Sequence, residues 1–431
     1  MCSGDGEDKV RRLRTAGMKL STALMIVGLV LTGCTSNHDD LSYKSVPVTT
    51  TIPTKPSMQV EPGADYPQLG GAAPGSLLSA EPFELIDPRV TITGASAYRI
   101  RYMSLSWDDR PVEVTGVVLV PSGTPPEKGF ELVAFNHGNT GIDSDCGPSL
   151  YDDLLNQWLP VSVLLLHGFA IVASDYEGLG GFGVHPFLDS KVLGRNVIDG
   201  VRAARHLSPL MGTRWAAFGG SLGGLATWAA NEQVEAGYGD GLDLVGTAAW
   251  VPVVNVSELP AKAKAGTLTH DQLHMYFLAI MGLKRSSHPD IDLTQYIHGS
   301  MYENRDVLLL CSGPGVPKGM EVLAHADPAD LIPASDEAMN QMQQWLAELA
   351  VPKRKAAAPM LVLYGSEDQL VDRPWIETAL KESCAMGSTI QWVLRPGEGH
   401  GDINAEMAFP WVRSMFDGEK PINRCTAPFQ A

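Results

Sequence analysis

The chain has 431 residues, of which 44% are hydrophobic, and its formal net charge is −17 at pH 7. This length exceeds what one hydrophobic core usually organises, so we expect one large domain with an insertion or a second unit. The acidic balance gives no electrostatic attraction to nucleic acid or to anionic lipid head groups, and we expect neither as a partner.

The first 33 residues have the pattern of an export signal. A basic stretch at 9–19 precedes an apolar run at 20–33 that is too short to span a bilayer comfortably. The tetrapeptide Leu-Thr-Gly-Cys that ends at Cys34 resembles the bacterial lipobox, in which cleavage leaves a lipidated N-terminal cysteine. We therefore expect a signal peptide at 1–33 and a lipid anchor on Cys34 that contacts the outer face of the membrane. Ordinary secretion is the alternative. Either Met1 or Met18 begins this signal.

Residues 34–81 are rich in Pro, Thr, Ser and Gly, which predicts a flexible tether between the anchor and the folded domain. Four of the six cysteines follow it, namely Cys146, Cys311, Cys384 and Cys425. In an exported chain they predict two disulfides, for which three pairings are possible. The sequence has no CxxC pair and no zinc-type spacing of Cys and His, so we expect no metal and no cofactor.

Short hydrophobic runs and helical patterns then alternate along the chain. Residues 97–106 and 112–120 are rich in β-branched and aromatic side chains around a turn-forming DDRP, which predicts an antiparallel pair of strands. Apolar runs typical of strands covered on both faces follow at 130–135, 170–174, 215–218, 244–251, 360–364 and 390–394. Helical patterns lie at 191–207, 222–236 and 372–383. The alternation predicts an α/β fold with a mostly parallel central sheet and helices on both faces.

The alternation stops between residues 255 and 355. The clearest patterns in this segment, at 271–283 and 334–349, are helical. We expect a helical cap inserted between two strands of the sheet. The α/β domain would then comprise residues 82–254 and 356–431.

One serine lies among glycines between a predicted strand and a predicted helix, in Gly219-Gly220-Ser221-Leu222-Gly223. This match to G-x-S-x-G is weak alone, and the strand–turn–helix setting gives it significance. So tight a turn exposes the serine Oγ, and Gly219 and Gly223 lack the Cβ atoms that would collide where strand and helix pass. The N–H of Leu222, at the start of the helix, is placed to stabilise an oxyanion. Ser221 is therefore predicted to be a nucleophile.

A nucleophilic serine needs a base, and the base needs an orienting carboxylate. Asp368 follows the predicted strand at 360–364, with Glu367 and Asp372 as alternative acids. His400 follows the predicted strand at 390–394 and lies between two glycines. The chain order serine, aspartate, histidine is that of the α/β-hydrolases, which favours these residues.

A second oxyanion donor is expected after the predicted strand at 130–135, where the chain reads Asn136-His137-Gly138-Asn139. In α/β-hydrolases the HG turn after the third strand supplies this donor, and the N–H of Asn139 is the best candidate. We interpret His137 as a residue that shapes this loop, although its type would also suit a second base.

Two further motifs are interpreted as structural. Residues 178–183 satisfy G-x-G-x-x-G after a strand, but no helix opens directly from them, as a dinucleotide site requires. His270 and His274 are one helical turn apart and could form a zinc pair. They lack the glutamate of HExxH and a third ligand, so we interpret them as part of a solvated cap face.

Together these residues resemble the α/β-hydrolase superfamily and, more narrowly, the secretory lipase family of the lipase A type. The resemblance rests on residues 97–121, on VASDYEGLG at 172–180, on GGSLGG, YGSEDQLVD and GEGHGD, and on the long helical insert. It implies that the nucleophile, acid and base are Ser221, Asp368 and His400. It also implies the disulfides Cys146–Cys311 and Cys384–Cys425. Asn139 departs from the acidic residue associated with lipase A enzymes at the oxyanion position.

The predicted activity is the hydrolysis of carboxylic esters through an acyl-enzyme. Apolar residues at 273–281 either line an acyl tunnel, which favours lipid or medium-to-long acyl esters of the triacylglycerol type, or form the core of the cap. A small-ester carboxylesterase and an acyltransferase are the main alternatives; an amide hydrolase and a non-catalytic binding protein are the others. The expected partners are an acyl ester substrate and the membrane that holds the anchor.

Overall fold

The structure, a computed structural model, describes residues 70–313 and 316–427. The predicted signal peptide, Cys34 and the tether up to residue 69 lie outside the described residues. All described residues belong to one unit of the chain, Ser57–Ala431. No helix among them is both long and apolar enough to cross a membrane.

Nine strands of the described chain form one sheet. They are β1 (Leu77–Pro82), β2 (Ser96–Leu105), β3 (Pro111–Val120), β4 (Phe130–Asn136), β5 (Ala170–Ser174), β6 (Met211–Gly220), β7 (Asp243–Trp250), β8 (Met360–Gly365) and β9 (Ile390–Arg395). Their order across the sheet is β1-β2-β3-β5-β4-β6-β7-β8-β9. β1, β2, β3 and β5 pair antiparallel in that order, whereas β5 and the strands beyond it run parallel. The predicted α/β-hydrolase fold with its mostly parallel sheet is therefore confirmed.

The described chain also forms twelve α-helices. They are α1 (Pro88–Thr91), α2 (Trp158–Leu166), α3 (Ser190–Leu207), α4 (Leu222–Glu235), α5 (Leu259–Ala265), α6 (His270–Arg285), α7 (Gly299–Glu303), α8 (Arg305–Leu308), α9 (Val316–His325), α10 (Asp336–Leu349), α11 (Arg373–Ala385) and α12 (Ala408–Phe416). Alternate side chains of β4 enter opposite cores, because successive residues of a strand point to opposite faces. α3, α4 and α11 complete one core, and α1, α2 and α12 complete the other.

The first strand lies inside the segment that we expected to be a tether, so the boundary at residue 81 is wrong. β1 buries Leu77 and Ala80 and pairs antiparallel with β2. Its sequence, LLSAEP, has few β-branched residues and ends in proline. An edge strand tolerates this composition, because one side of its backbone makes no ladder hydrogen bonds.

Three helices that cover the sheet, α1, α2 and α12, were not predicted from the sequence. α2 is apolar almost throughout, and such a short run cannot be assigned to helix or strand by periodicity. α2 and α12 also contain Pro160 and Pro410, each at the third position of its helix. The first turn of a helix accepts proline because the N–H groups there lack intrahelical partners.

The chain between β7 and β8 is helical, from α5 to α10. The disulfide Cys146–Cys311 joins this segment to the loop that follows β4, with an S–S distance of 2.09 Å. The second disulfide, Cys384–Cys425, joins the end of α11 to the C-terminal segment. These are the two pairings that the resemblance implied.

Candidate active site

Ser221 occupies the turn between β6 and α4, at the carboxyl end of a central strand. Its backbone is at φ 57° and ψ −122°, in the region of positive φ that side-chain-bearing residues rarely adopt. The N–H of Ser221 donates to the carbonyl of Trp250 at 3.0 Å, and its carbonyl accepts from Leu225 and Val253. These bonds from β7 and α4 hold the strained turn in place.

The neighbouring glycines are required because the turn is crowded by backbone. A Cβ at Gly223 would lie 2.0 Å from the carbonyl oxygen of Asn136, and one at Gly219 would lie 2.6 Å from the same atom. A Cβ at Gly220 would collide with the indole of Trp250 at 2.0 Å. The end of β4 therefore passes directly against the turn that carries Ser221.

The structure brings Ser221, His400 and Asp368 into one chain of hydrogen bonds. The Oγ of Ser221 is 2.8 Å from the Nε2 of His400, and the Nδ1 of His400 is 2.9 Å from the Oδ2 of Asp368. The carboxylate is fully buried, whereas the imidazole is 17% exposed. With a proton on Nδ1 donated to the carboxylate, Nε2 is free to accept the serine proton.

The loops after β8 and β9 fix the carboxylate and the imidazole relative to each other. The Oδ1 of Asp368 accepts the backbone N–H groups of Leu370 and Val371 at 2.8 and 2.9 Å, which leaves Oδ2 for His400. The N–H of Glu367 donates to the carbonyl of Glu398, which joins the two loops.

The alternative acids face other partners. Asp372 accepts from the Nζ of Lys262 and the Nε2 of Gln272 on α5 and α6. The Oε1 of Glu367 accepts only from its neighbour Ser366 among the described residues. Asp368 is therefore the carboxylate that the structure places against His400.

The predicted oxyanion donors lie on segments that meet at Ser221. Leu222 is the first residue of α4, and a Cβ at Gly138 would lie 3.8 Å from the Cβ of Ser221. The backbone N–H groups of Leu222 and Asn139 donate no hydrogen bond to another described residue. The side chain of Asn139 accepts the N–H of Gly141 at 3.0 Å, which shapes the loop. Two free donors are what an oxyanion site requires.

His137 does not contact any member of this chain of hydrogen bonds. Its Nδ1 lies 2.7 Å from the carbonyl of Gly138, and its Nε2 lies 3.3 Å from the carbonyl of Asp175. Burial lowers the pKa of His137 to about 4, so the imidazole is neutral at pH 7. The Asp175 carboxylate accepts instead from Ser149 and Thr115. This pair is structural and is not an alternative acid and base.

The remaining motifs serve the fold. Past the glycine loop at 178–183, the next helix, α3, begins only at Ser190, so no dinucleotide-type turn exists here. The Nε2 atoms of His270 and His274 each lie 2.9 Å from a cap carbonyl, those of Leu323 and Leu308 respectively. His270 is exposed, as a solvated cap face predicts, whereas His274 is half-buried, and burial lowers the pKa of its imidazole.

One cluster in the described part of the chain has the spacing of metal ligands. Asp145, Cys146 and Cys311 bring their ligand atoms within 4.8 Å of one another. Both sulfurs are joined in a disulfide, so neither is available as a thiolate ligand.

The solved structures that resemble this chain in fold include a lipase and an esterase. Candida antarctica lipase A in its closed state superposes with a TM-score of 0.66 at 18% identity, covering 86% of this chain and 89% of that chain. The rice cell wall degrading esterase LipA of Xanthomonas oryzae superposes with a TM-score of 0.66 at 19% identity, covering 81% and 100%. A putative hydrolase of Legionella pneumophila reaches a TM-score of 0.61 at 17% identity, covering 79% and 96%. No curated protein sequence matches the chain.

The sheet order and these neighbours define the α/β-hydrolase fold. The family model for secretory lipases matches residues 155–424, which is more than half of the chain. The chain therefore belongs to the secretory lipase family and is a carboxylic ester hydrolase. The family and the two disulfides indicate an exported protein.

Proposed function

We propose that the chain cleaves carboxylic esters through an acyl-enzyme formed on Ser221. The observation that carries this proposal is the unbroken contact from the Oγ of Ser221 through His400 to Asp368, at 2.8 and 2.9 Å. Nε2 of His400 takes the serine proton while Oγ attacks the ester carbonyl, and the Asp368 carboxylate stabilises the imidazolium that forms.

The rest of the cycle uses the same groups. The imidazolium returns its proton to the departing alcohol, and a water activated by His400 then releases the acid from Ser221. The N–H groups of Leu222 and Asn139 bind the negative oxygen of each tetrahedral intermediate. Each such donor contributes about 3 kcal/mol to lowering the barrier.

Replacement of the nucleophile tests the mechanism. Ser221→Ala should lower the turnover of p-nitrophenyl esters by at least about 10⁴-fold, because the base then has no oxygen to activate. Ser122→Ala, which removes an exposed hydroxyl that donates only to the carbonyl of Thr93, should keep wild-type turnover. Undiminished turnover in Ser221→Ala would end the proposal.

We propose aliphatic acyl esters of medium-to-long chain as substrates, with residues 255–355 as a cap over the site. The secretory lipase family and the likeness to Candida antarctica lipase A support this choice. Contacts from α5 and α6 to Asp372, close to the acid, support the place of the cap.

A preference for short acyl chains is the alternative, and one observation favours it. The seven apolar side chains of α6 that the sequence offered as a tunnel lining are all buried in the core: Leu273, Met275, Tyr276, Phe277, Leu278, Ile280 and Met281. Rates for p-nitrophenyl acetate, octanoate and laurate below their micellar concentrations separate the two. A kcat/KM that rises from acetate to octanoate supports the lipase assignment, and a clear preference for acetate contradicts it.

Acyl transfer on the same site is the other alternative. An alcohol acceptor added to the assay distinguishes it through the products, because hydrolysis yields the free acid and transfer yields a new ester. The free acid should dominate in dilute alcohol if the proposal holds. A dominant new ester would identify an acyltransferase.

We also propose that the exported chain is held at the membrane by lipidation of Cys34. The lipobox-like tetrapeptide that ends at Cys34 and the membership in a secretory family support this. Radiolabelled palmitate should be incorporated into the wild-type chain and not into Cys34→Ser. Equal labelling of both chains, or of neither, would overturn the anchor and leave ordinary secretion.

A further inference from the structure

We propose that Tyr176 is a positioning residue that holds the oxyanion loop through His137. This inference rests on the proposed function, because it concerns the N–H of Asn139 as an oxyanion donor. Tyr176 does not touch the reacting atoms. Its role would be to fix the peptide planes that precede the donor.

The backbone of Tyr176 is strained and fully buried. Its φ is 68°, a conformation that is a genuine outlier for a bulky aromatic residue, and its side chain is 0% exposed. The strain persists because the surroundings bond to the residue on both sides. The N–H of Tyr176 donates to the Oγ of Ser174 at 2.9 Å, and the next N–H, of Glu177, donates to Asn196 at 2.8 Å.

This strained backbone points the Tyr176 side chain at the oxyanion loop. The Tyr176 O–H donates to the carbonyl of His137 at 3.0 Å. Its ring lies 4.4 Å from the ring of His137 between centroids, and His185 stacks against Tyr176 at 6.2 Å. His185 is itself fixed by a bond from its Nδ1 to the carbonyl of Glu177 at 2.9 Å. The buried rings of Tyr176 and His185 therefore pack in succession against the ring of His137 in the loop.

The next peptide plane is fixed by the imidazole of His137. The neutral imidazole carries one proton, which the shorter contact assigns to Nδ1, so Nδ1 donates to the carbonyl of Gly138 at 2.7 Å. The peptide between Gly138 and Asn139 is trans, so the N–H of Asn139 points to the side opposite that carbonyl. Because the Gly138 carbonyl is directed toward His137, the Asn139 N–H is directed away from the buried rings. Tyr176 and His137 together set the orientation of two successive peptides.

Orientation of this kind matters for rate more than for substrate binding. An oxyanion donor acts on the transition state, and removal of one costs about 10²–10³-fold in kcat. A donor that is present but misdirected should lose part of this factor. The ground-state ester makes little use of the donor, so its binding should not change.

Tyr176→Phe removes the O–H and keeps the ring. We expect kcat to fall roughly 10- to 100-fold with KM unchanged. The affinity for a trifluoromethyl ketone, which forms a tetrahedral oxyanion on the serine, should fall by the same factor. The affinity for the methyl ketone of the same chain length, which binds without that adduct, should stay within about twofold.

Tyr238→Phe is the control. Tyr238 is partly buried, its O–H donates to the Oδ2 of Asp199 at 2.8 Å, and neither residue bonds to the oxyanion loop. Each variant loses the one hydrogen bond that its tyrosine O–H donates, so both should lose some stability. Only Tyr176→Phe should lose affinity for the trifluoromethyl ketone while keeping its affinity for the methyl ketone.

A second variant provides the test if Tyr176→Phe does not fold. His137→Leu removes the donor to Gly138 and should likewise lower the affinity for the trifluoromethyl ketone but not that for the methyl ketone. An unchanged kcat in either folded variant, or an equal loss of affinity for both ketones, overturns the positioning role. Ser221→Ala shows whether such a result contradicts only the role of Tyr176 or also the proposed function. If it abolishes turnover while Tyr176→Phe is fully active, only the role of Tyr176 is lost.

Discussion

At Gly223 the turn that carries Ser221 has no space for a single methyl group. A Cβ there would meet the backbone of Asn136 and His137 at 2.0–2.7 Å, and backbone cannot move aside as a flexible side chain can. We expect Gly223→Ala to lower the free energy of unfolding by more than about 3 kcal/mol and to abolish turnover. Urea denaturation followed by tryptophan fluorescence measures this.

Gly319→Ala on α9 is the control for that substitution. Its Cβ would meet only one backbone atom, the carbonyl oxygen of Val307 at 3.9 Å, in ordinary contact. Alanine is the better helix former by about 0.5–1 kcal/mol, so this variant should be neutral or slightly stabilised. A Gly223→Ala protein as stable as Gly319→Ala would contradict the crowding seen at the turn.

Glu177 makes stability depend on pH. Burial raises its pKa from 4.5 to about 7, its Oε1 accepts from Ser106 at 2.6 Å, and its Oε2 has no partner among the described residues. A raised pKa means that folding favours the protonated acid. The stabilisation is complete below the unfolded pKa near 4.5 and is lost as the pH rises through about 7.

We therefore expect the free energy of unfolding to fall between pH 5 and pH 8, by on the order of 2–3 kcal/mol from Glu177. Glu177→Gln should flatten this slope, although Glu232, whose pKa is also raised to about 7 by burial, contributes in the same sense. Glu419→Gln, at an exposed position, should keep the wild-type slope. Equal slopes in both variants would refute the assignment to Glu177.

At the scale of elements, the start of α6 is joined to the loop that carries the acid. Buried Gln272 donates its Nε2 to Asp372 at 2.8 Å and to the carbonyl of Leu370 at 3.3 Å, and its Oε1 accepts from Thr269. The N–H of the same Leu370 donates to Asp368. α6 and Asp368 are therefore linked through the backbone of Leu370.

Gln272→Met should weaken that link without changing the volume of the site. It removes a donor from two partly buried acceptors, of which Asp372 keeps its bond to Lys262. We therefore expect a loss of about 1–2 kcal/mol and a lower kcat, because the acid is less firmly held. Gln344→Met on α10, which gives up an exposed hydrogen bond to Glu348, should cost less than about 0.5 kcal/mol. Thermal unfolding and ester turnover compare the two variants.

The sequence sufficed for elements whose pattern is local. The apolar runs of β6, β8 and β9 predict strands, and Ser221, Asp368 and His400 lie in the turn or loop that follows each of them. Parallel strands end at one edge, so their loops meet. The supports of the oxyanion loop could not be predicted from the sequence, because they depend on the positive φ of Tyr176 and on the bond of its side chain, from the loop after β5, to the loop after β4.

At the scale of the whole molecule, two disulfides close loops of very different length. Cys146–Cys311 spans 165 residues and Cys384–Cys425 spans 41. A longer closed loop restricts the unfolded chain more, so replacing Cys146 and Cys311 together by serine should cost more than replacing the other pair. We expect losses of about 2–5 kcal/mol for each pair. Urea midpoints of the two double variants provide the comparison, and an equal or smaller loss at Cys146 and Cys311 would argue against this ordering.

The first of these disulfides also lies against the oxyanion loop. A Cβ at Gly141 would meet the Sγ of Cys146 at 2.5 Å, and Ser312, next to Cys311, donates its N–H to the carbonyl of Thr140 at 2.9 Å. Its removal should therefore lower kcat as well as stability, whereas removal of Cys384–Cys425 should affect stability alone.

The most direct test of the account is the site at which a fluorophosphonate probe attaches to the wild-type chain. The contact of Ser221 with His400 and Asp368 predicts one adduct per chain, mapped by peptide mass spectrometry to Ser221 and formed in step with the loss of ester turnover. An adduct on any other residue, or full labelling of Ser221 with turnover intact, would contradict it.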